Sequence, residues 1–510
     1  MPDQSLRKRA TPFLALVALL SAAYIGRAVI SSDGAEVLSE TLGFLIQGRF
    51  EAATLPPQET ADPVERARWP QPFHSRYGLF PALLPLPFTA AAWPLRDLIG
   101  ARGLDASIAL TWATGVALCA LGFVRLVRAL RPEASGWWGP ALVAGTFLWP
   151  YAADSFVEPF AAACIAFGAA RLLPRESPDP LRAGALAGGI LSLAFLVKPI
   201  LWVTTPAFLL VALLPVHAGR TPRRFAAGFV AAQAGVLAIQ AVTNGLRYGS
   251  LLNFGYGGET FAFNSPFLEG FFGLTLLPGR GLFLYAPIVL VALLSARRLT
   301  WRERLLFYGA PALLLVVVAR WWAWHGASAW GPRLLLPVLP LLAAPAVLQG
   351  AGRVAASVVA GVFLNLGGLL VAPGSFIGYA ERLRAPVGTS WPAGGSERVS
   401  VVTSLSPLWG HPWLLLRGAG ASRLPAPWLA AGAVEGDPAP TLSECVSPLV
   451  LRSALGLPPV APFTPRLLTR TALAYALRGR PAEARRFTAE ALRLDGRNPE
   501  ARRLREALGP

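Results

Sequence analysis

The sequence predicts an all-α, polytopic membrane helical bundle of about 11 spans, with a small, mostly helical external tail. Three observations predict this class. Of the 510 residues, 54% are hydrophobic and 15% are charged, and the mean hydropathy is +0.49. A soluble globular chain carries roughly a quarter charged residues. The apolar residues also fall in runs of about 15 to 20, the length that crosses a hydrocarbon core of roughly 30 Å.

The apolar runs define the predicted spans. They lie at about 12–30, 107–124, 137–153, 156–173, 183–197, 199–216, 225–243, 283–296, 305–319, 334–349 and 354–372. Residues 12–30 are longer than a usual signal-peptide core, so an uncleaved first span is expected. A further apolar run at 79–95 contains four prolines, which break helices. We therefore expect 79–95 to lie in or dip into the outer interface.

The arginine pattern predicts the topology. The net charge is +18, but the arginines form short clusters between apolar runs rather than one basic face, so no nucleic-acid partner is expected. Cytoplasmic loops collect Lys and Arg. With 79–95 left out as a span, the basic clusters at 7–9, 125–131, 171–182, 220–224, 297–304 and 353 all fall on one side. The N-terminus is then predicted to be cytoplasmic, and everything after residue 372 external.

Two domains follow from this reading. Residues 1–372 form the predicted membrane domain, in which 31–104 is a first external loop with interfacial helices. Residues 373–510 form the external tail. Residues 469–507 have the apolar spacing of a tetratricopeptide-like helical pair, carried by Leu473, Ala476, Gly479, Ala484, Phe487, Ala491 and Leu492. One such unit cannot bury its own face, so it must pack on the tail, the membrane domain or a partner protein. The alternative is an ordinary amphipathic hairpin.

Acidic residues mark two places on the predicted outer side. Asp33, with Glu36 one turn later, directly follows the first span, where an acid is either functional or an interface residue. Asp154 and Glu158 occupy a turn between two spans, four residues apart on one predicted helix face. A carboxylate near the membrane boundary is costly unless it is paired or hydrated. The alternative for Asp154 is a helix cap.

Cations are predicted on the same side. Lys198 is the only lysine after position 8, and it either extends to the headgroups or meets an anionic phosphate. Further outer-side cations are Arg76, Arg247, Arg280 and Arg333. One arginine guanidinium can donate hydrogen bonds to two phosphate oxygens at once, which suits a pyrophosphate-like headgroup.

An aromatic stretch at 321–333 contains Trp321, Trp322, Trp324, His325 and Trp330. It is either an interfacial belt or a platform on which a sugar or isoprenoid stacks. The three cysteines have no metal or redox spacing, and four histidines in total argue against a histidine-rich metal centre.

The order of these features resembles the polytopic glycosyltransferases of the GT-C superfamily, near the protein O-mannosyltransferase and aminoarabinose-transferase-like families. The resemblance covers about residues 10–372. It is carried by an acid after the first span (Asp33), the stretch Tyr77–Phe88, a second acid at an external turn (Asp154 with Glu158), Lys198-Pro199, and the segments 278–287 and 330–337. One departure is Gly34, which follows Asp33 where many relatives have a second acid.

This resemblance implies transfer of a sugar from a polyprenyl-phosphate donor to an envelope glycan, lipid or protein acceptor on the non-cytoplasmic face, with inversion. It implies that Asp33 is the general base and that Asp154 or Glu158 positions the acceptor. Lys198 and Arg333 would neutralise the departing phosphate, and Arg76, Tyr77, Arg280 and His325 complete the predicted binding residues. No cofactor is required, although Asp33 and Asp154 are the expected ligands of an optional Mg or Mn ion.

The resemblance and the arginine pattern together predict a bacterial inner-membrane protein with a periplasmic tail. Two other functions compete with the enzyme. The first is a transporter or flippase for a lipid-linked saccharide, but the sequence shows neither inverted repeats nor polar residues near the midplane. The second is a non-catalytic scaffold that acts through its tail.

Overall fold

The computed structural model describes residues 4–24, 32–48, 74, 77–173, 178–214, 222–255, 262–327, 329–371, 376–377, 380, 395–418, 463–477 and 480–509. Helices dominate these ranges. In the first half they are α1 (Gln4–Tyr24), α2 (Ser32–Gln47), α3 (Leu79–Leu83), α4 (Leu86–Ala92), α5 (Arg96–Leu130), α6 (Trp138–Ala144), α7 (Glu158–Leu172), α8 (Pro180–Val197), α9 (Thr205–Leu213) and α10 (Pro222–Tyr248).

The second half continues with shorter helices. They are α11 (Phe267–Thr275), α12 (Leu282–Tyr285), α13 (Ile288–Leu293), α14 (Trp301–Arg304), α15 (Ala310–Arg320), α16 (Leu339–Ala343), α17 (Ala351–Leu370), α18 (Gly395–Val401), α19 (Pro407–Gly418), α20 (Phe463–Leu477), α21 (Pro481–Leu494) and α22 (Pro499–Leu508). Short 3₁₀ turns join several of them, including Trp93–Leu95, Trp149–Ala152, Pro199–Thr204, Arg333–Val338 and Ala344–Leu348.

The predicted fold class, a helical membrane bundle, is confirmed. Within the described ranges, four helical stretches are long and apolar enough to cross a membrane: Ala106–Leu130, Pro180–Val197, Pro222–Tyr248 and Ala351–Leu370. The total of about 11 spans and the side that each loop faces stay predictions.

Several predicted spans are broken into short helical pieces. The run 334–349 consists of the 3₁₀ turn Arg333–Val338, helix α16 and the 3₁₀ turn Ala344–Leu348. Pro337, Pro340 and Pro345 account for the breaks, because proline lacks the amide hydrogen that continues the α-helical pattern. These pieces are buried in the protein core, where neighbouring helices can satisfy the interrupted backbone.

The proline-rich run 79–95 forms α3, α4 and the turn Trp93–Leu95, which leads directly into α5. Helix α3 packs against α2 and α8. The hydroxyl of Thr41 on α2 donates a hydrogen bond to the carbonyl oxygen of Ala82, at 2.7 Å. This segment therefore supports the helix that carries Asp33.

Small residues let α8 and α10 approach closely. Gly184 and Gly188 are one turn apart on α8, and a Cβ at either position would collide with the carbonyl oxygen of Phe225 or Phe229 on α10. Such small-residue contacts are typical of helix pairs in membranes. Helix α7 packs between α5 and α8, which brings the start of α7 near the end of α8.

The C-terminal unit consists of three helices, α20 to α22, rather than the predicted pair. Ala484, Phe487 and Ala491 are fully buried, in agreement with the predicted spacing, whereas Gly479 lies outside the described residues. Helix α20 packs against α2 and α5, and the hydroxyl groups of Ser39 and Thr471 are 3.2 Å apart. Of the three predicted packing surfaces, this unit uses the membrane domain.

Candidate active site

The centre of the site is a buried carboxylate between two cations. Glu158 is the first residue of α7, and its side chain is 0% exposed. Its Oε1 atom lies 2.8 Å from Nζ of Lys198 and 3.5 Å from Nε of Arg333. Burying a charge costs several kcal/mol unless an opposite charge compensates it. Two cations share this carboxylate, so the three side chains together carry a net positive charge.

Proline fixes the position of each cation. Lys198 ends α8 in an extended conformation (φ −142°, ψ 94°), because the residue before a proline is disfavoured in the helical region. Arg333 starts a 3₁₀ turn directly after Pro332, and the preceding Gly331 has a φ of 64°. Helix α7 packs against both α8 and this 3₁₀ turn. Glu158 therefore meets two cations that are 135 positions apart in sequence.

An aromatic ring lies next to each of the two cations. The guanidinium of Arg333 lies 4.3 Å from the ring centre of Phe156, and Nζ of Lys198 lies 5.7 Å from that of Tyr77. A small pocket of about 10 Å³ is present beside them. It is lined by Val37, Tyr77, Ser155, Phe156, Val157, Glu158 and Lys198.

Asp154 is buried next to this pocket, at 2% exposure. Two sequence-based expectations for it are wrong. Helix α7 begins only at Glu158, so Asp154 does not share a helix face with it, and the cap position is Val157, without a side-chain hydrogen bond. Pro159 lacks the amide hydrogen that a helix beginning earlier would donate to the Ser155 carbonyl oxygen, so the regular helix begins beside this proline. The Tyr151 hydroxyl is close enough to interact electrostatically with the charges of Asp154, Glu158 and Arg333.

The N-terminal end of α2 lies directly against the 154–155 turn. A Cβ at Gly34 would collide with the side chain of Ser155 and would lie 2.5 Å from the Ser155 carbonyl oxygen. Asp33 precedes this contact in the first turn of α2, although its side chain is outside the described part. The contact also explains the departure from the paired-acid pattern: a second acid at position 34 would not fit.

A second buried ion pair lies further along α2. Glu40 is 0% exposed, and its Oε1 atom is 2.5 Å from Nη2 of Arg247 and 3.9 Å from Nδ1 of His74. Arg247 is in the last turn of α10. The sequence analysis named Arg247 only as an outer-side cation and missed Glu40. A signal was available, because Glu40 follows Asp33 by seven residues and so lies near the same helix face.

Arg280 is fully buried and acts as a clamp on the backbone. Its Nη2 donates to the carbonyl oxygen of Ala327 at 2.6 Å, its Nη1 to that of Ala329, and its Nε to Oγ of Ser400 at 3.2 Å. These contacts hold the segment before Arg333. The structure thus gives Arg280 a positioning role in place of the predicted phosphate contact.

His325 lies in the clamped segment and is 9% exposed. Burial, together with the positive charges of Arg280 and Arg333, lowers the pKa of His325 to about 3. The imidazole is therefore neutral at physiological pH. Its Nδ1 atom accepts a hydrogen bond from the Ala327 amide, at 3.2 Å.

The tryptophans of 321–333 differ in how far they are exposed. Trp324 and Trp330 are each 1% exposed and belong to the core, so neither the belt nor the stacking platform describes them. The indole of Trp330 donates to Oδ1 of Asn365 on α17, at 2.8 Å. Trp322 is 42% exposed, as an interfacial residue would be.

Two further expectations stay predictions. Arg76 lies outside the described residues, between His74 and Tyr77. Within the described part of the chain, no group of three or more His, Cys, Asp or Glu side chains could hold a metal ion. The Asp33 side chain lies outside the described part, so the optional Mg or Mn ion between Asp33 and Asp154 stays a prediction.

Replacing Glu158 with glutamine should destabilise the protein strongly, because it removes the buried carboxylate that Lys198 and Arg333 share. Breaking a buried pair in this way costs about 3–5 kcal/mol. Thermal unfolding of the purified protein in detergent measures the effect. The matched control is Glu133→Gln, which removes a surface pair with Arg131 and should leave the unfolding temperature unchanged. Equal unfolding temperatures for wild type and Glu158→Gln would contradict the ion-pair assignment.

Fold and site together define a polytopic helical membrane protein with a buried, charged pocket between α2, α7 and α8. No family model matches the chain, and no curated protein matches it significantly. Among solved structures, the chain is similar to ArnT from Cupriavidus metallidurans in the apo state, at 16% identity and a TM-score of 0.43, over 94% of this chain and 78% of that chain. It is also similar to ArnT from the same organism bound to undecaprenyl phosphate, at 13% identity and a TM-score of 0.45. This match covers 94% of this chain and 79% of that chain.

Proposed function

We propose that this protein is a membrane glycosyltransferase that moves a sugar from a polyprenyl-phosphate donor to an acceptor on the non-cytoplasmic face. The observation that carries the proposal is the buried Glu158–Lys198–Arg333 cluster beside the N-terminal end of α2. Two cations that share one carboxylate beside a pocket can stabilise further negative charge. The departing lipid phosphate brings that charge.

In the proposed reaction Asp33 removes the proton from the acceptor hydroxyl as its oxygen attacks the anomeric carbon. The new glycosidic bond forms on the face opposite the leaving group, so the configuration inverts. The bond from the anomeric carbon to the phosphate oxygen breaks, and its electron pair leaves with the polyprenyl phosphate. Lys198 and Arg333 stabilise the growing charge on that phosphate, which is an electrostatic form of catalysis.

Glu158 has a different role in this scheme from the one first predicted. Its Oε1 atom holds Lys198 and Arg333 together at 2.8 and 3.5 Å. It is therefore a positioning residue for the two cations. Asp154, which lies closer to the Gly34–Ser155 contact, is the better candidate to orient the acceptor hydroxyl.

The neighbouring residues complete the proposed binding site. The ring of Tyr77 lines the pocket beside Lys198 and can pack against the sugar or the first isoprene unit. Arg76, one residue earlier, is proposed to contact the phosphate. We further propose a bacterial inner membrane with the pocket on the periplasmic side, in agreement with the arginine pattern. An envelope glycan, lipid or protein is the proposed acceptor.

Mass spectrometry of polyprenyl-linked sugars and envelope glycans in a deletion strain tests this function. We expect one polyprenyl-linked sugar to accumulate and one envelope modification to disappear, and plasmid-borne wild type should reverse both changes. Purified protein in liposomes should then release polyprenyl phosphate from the accumulated donor when an envelope extract of the deletion strain supplies the unmodified acceptor. Unchanged lipid-linked sugars and unchanged envelope glycans in the deletion strain would reject the proposal. Movement of the donor across liposomes without its cleavage would favour a flippase instead.

A further inference from the structure

An apolar groove lies on the outside of the bundle, away from the candidate active site. It has a volume of about 430 Å³ and runs between α5, α7 and α8. Leu118, Phe160, Phe167 and Leu193 are among the apolar residues that line it, and Arg125 and Arg171 line it as well. Leu118 and Leu193 are 38% and 48% exposed, so the groove opens to the surroundings of the bundle.

The groove has an apolar end and a basic end. On α7, Phe160 lies near the start of the helix and Arg171 in its last turn. Eleven residues separate them, which corresponds to about 16 Å at 1.5 Å per residue. One leaflet of the hydrocarbon core is about 15 Å thick, half of the roughly 30 Å core. The groove therefore has the length of one acyl chain in one leaflet.

The basic end carries two guanidinium groups that have no acidic partner among the described residues. Within the described part of the chain, neither Arg125 nor Arg171 forms a salt bridge or a side-chain hydrogen bond, and no acidic residue lines the groove. Arg125 is exposed and Arg171 is half-buried. Two unpaired guanidinium groups beside an apolar channel complement a lipid whose headgroup is a phosphate without a compensating positive charge.

We infer that this groove binds an anionic phospholipid, with an acyl chain along α7 and the headgroup phosphate between Arg125 and Arg171. A zwitterionic lipid such as phosphatidylcholine fits less well, because its ammonium group would approach two guanidinium groups. The basic end of the site lies on the side that the topology predicts to be cytoplasmic.

This site is separate from the one proposed for the lipid-linked sugar. Arg171 is 13 residues after Glu158 on the same helix, which places the basic end about 20 Å from the buried carboxylate along the helix axis. Lys198 lies at the opposite end of α8 from the loop that follows Arg171. The inference therefore does not depend on the proposed glycosyl transfer.

Native mass spectrometry of the full-length protein tests the inference. Protein purified in detergent is incubated with equal amounts of phosphatidylglycerol and phosphatidylcholine that carry the same acyl chains. We expect wild type to retain phosphatidylglycerol at least tenfold more than phosphatidylcholine. The double variant Arg125→Gln/Arg171→Gln should lose this preference. Arg125 is exposed and Arg171 is half-buried, so the variant should fold, and size-exclusion chromatography checks this.

The matched control is Arg223→Gln/Arg224→Gln, which removes two exposed arginines from the first turn of α10, on the same predicted side of the membrane. It should keep the preference for phosphatidylglycerol. Equal retention of both lipids by wild type would overturn the inference, and so would an equal loss in the control variant. Displacement of phosphatidylglycerol by an equal concentration of polyprenyl phosphate would also overturn it, because the groove would then belong to the substrate.

Discussion

Asp33→Asn should lower the rate of sugar transfer by about 10²- to 10⁴-fold, the range that a general base contributes. Asparagine has nearly the same size as aspartate, but it cannot accept the proton of the acceptor hydroxyl. The assay follows release of polyprenyl phosphate by purified protein in liposomes, with the donor that accumulates in the deletion strain and an envelope extract of that strain as the source of the acceptor. Binding of the donor should change little, because Asp33 does not contact the lipid phosphate in the proposed reaction.

Asp179→Asn is the matched control for this change. Asp179 caps α8 by accepting a hydrogen bond from the amide of Arg182, and asparagine caps helices equally well. This control should keep full activity. Full activity of Asp33→Asn would show that Asp33 is not the general base. Equal losses in the two variants would show a general effect of losing a carboxylate.

Gly34→Ala should lower activity by about 100-fold, although it adds only one methyl group. That methyl group would collide with Ser155, so either the start of α2 or the 154–155 turn must move. A displacement of about 1 Å in a catalytic arrangement can cost this factor. The variant should show normal expression and a lower rate in the same liposome assay.

Gly235→Ala is the matched control for the glycine change. Gly235 also lies in a helix, α10, and a Cβ at this position has no neighbouring atom within 4 Å. Alanine is a better helix former than glycine by roughly 1 kcal/mol, so this variant should be as stable as wild type or more stable. Unchanged activity of Gly34→Ala would show that the Gly34–Ser155 approach does not position the site.

The fold class could be predicted from the sequence because hydropathy is a property of each local run. The breaks within the runs could not be located as easily. Pro337, Pro340 and Pro345 are visible in the sequence, but the run 334–349 is as apolar as a continuous span. Only the packing around it shows that the interrupted backbone is buried inside the bundle.

The candidate site could be predicted in part. The arginine pattern placed Glu158, Lys198 and Arg333 on one side of the membrane, and the structure joins them in one cluster. Their pairing could not be predicted, because it depends on how α7 packs against α8 and the 333–338 turn. The clamp by Arg280 depends on tertiary contacts in the same way: an arginine that donates to backbone carbonyl oxygens has the same sequence signal as one that binds phosphate.

Crosslinking across the pocket tests the central claim most directly: that the first turns of α2 and the turn before α7 enclose a single site. Val37 and Val157 line the same pocket from these two elements. Cys119, Cys164 and Cys445 are first replaced with alanine, and the pair Val37→Cys/Val157→Cys is then introduced. The control pair is Val37→Cys/Ala163→Cys, because Ala163 lines the outer groove. A short thiol-specific crosslinker should join the first pair in intact membranes and leave the second unjoined. Failure to join Val37→Cys to Val157→Cys would contradict the common pocket and, with it, the proposed reaction.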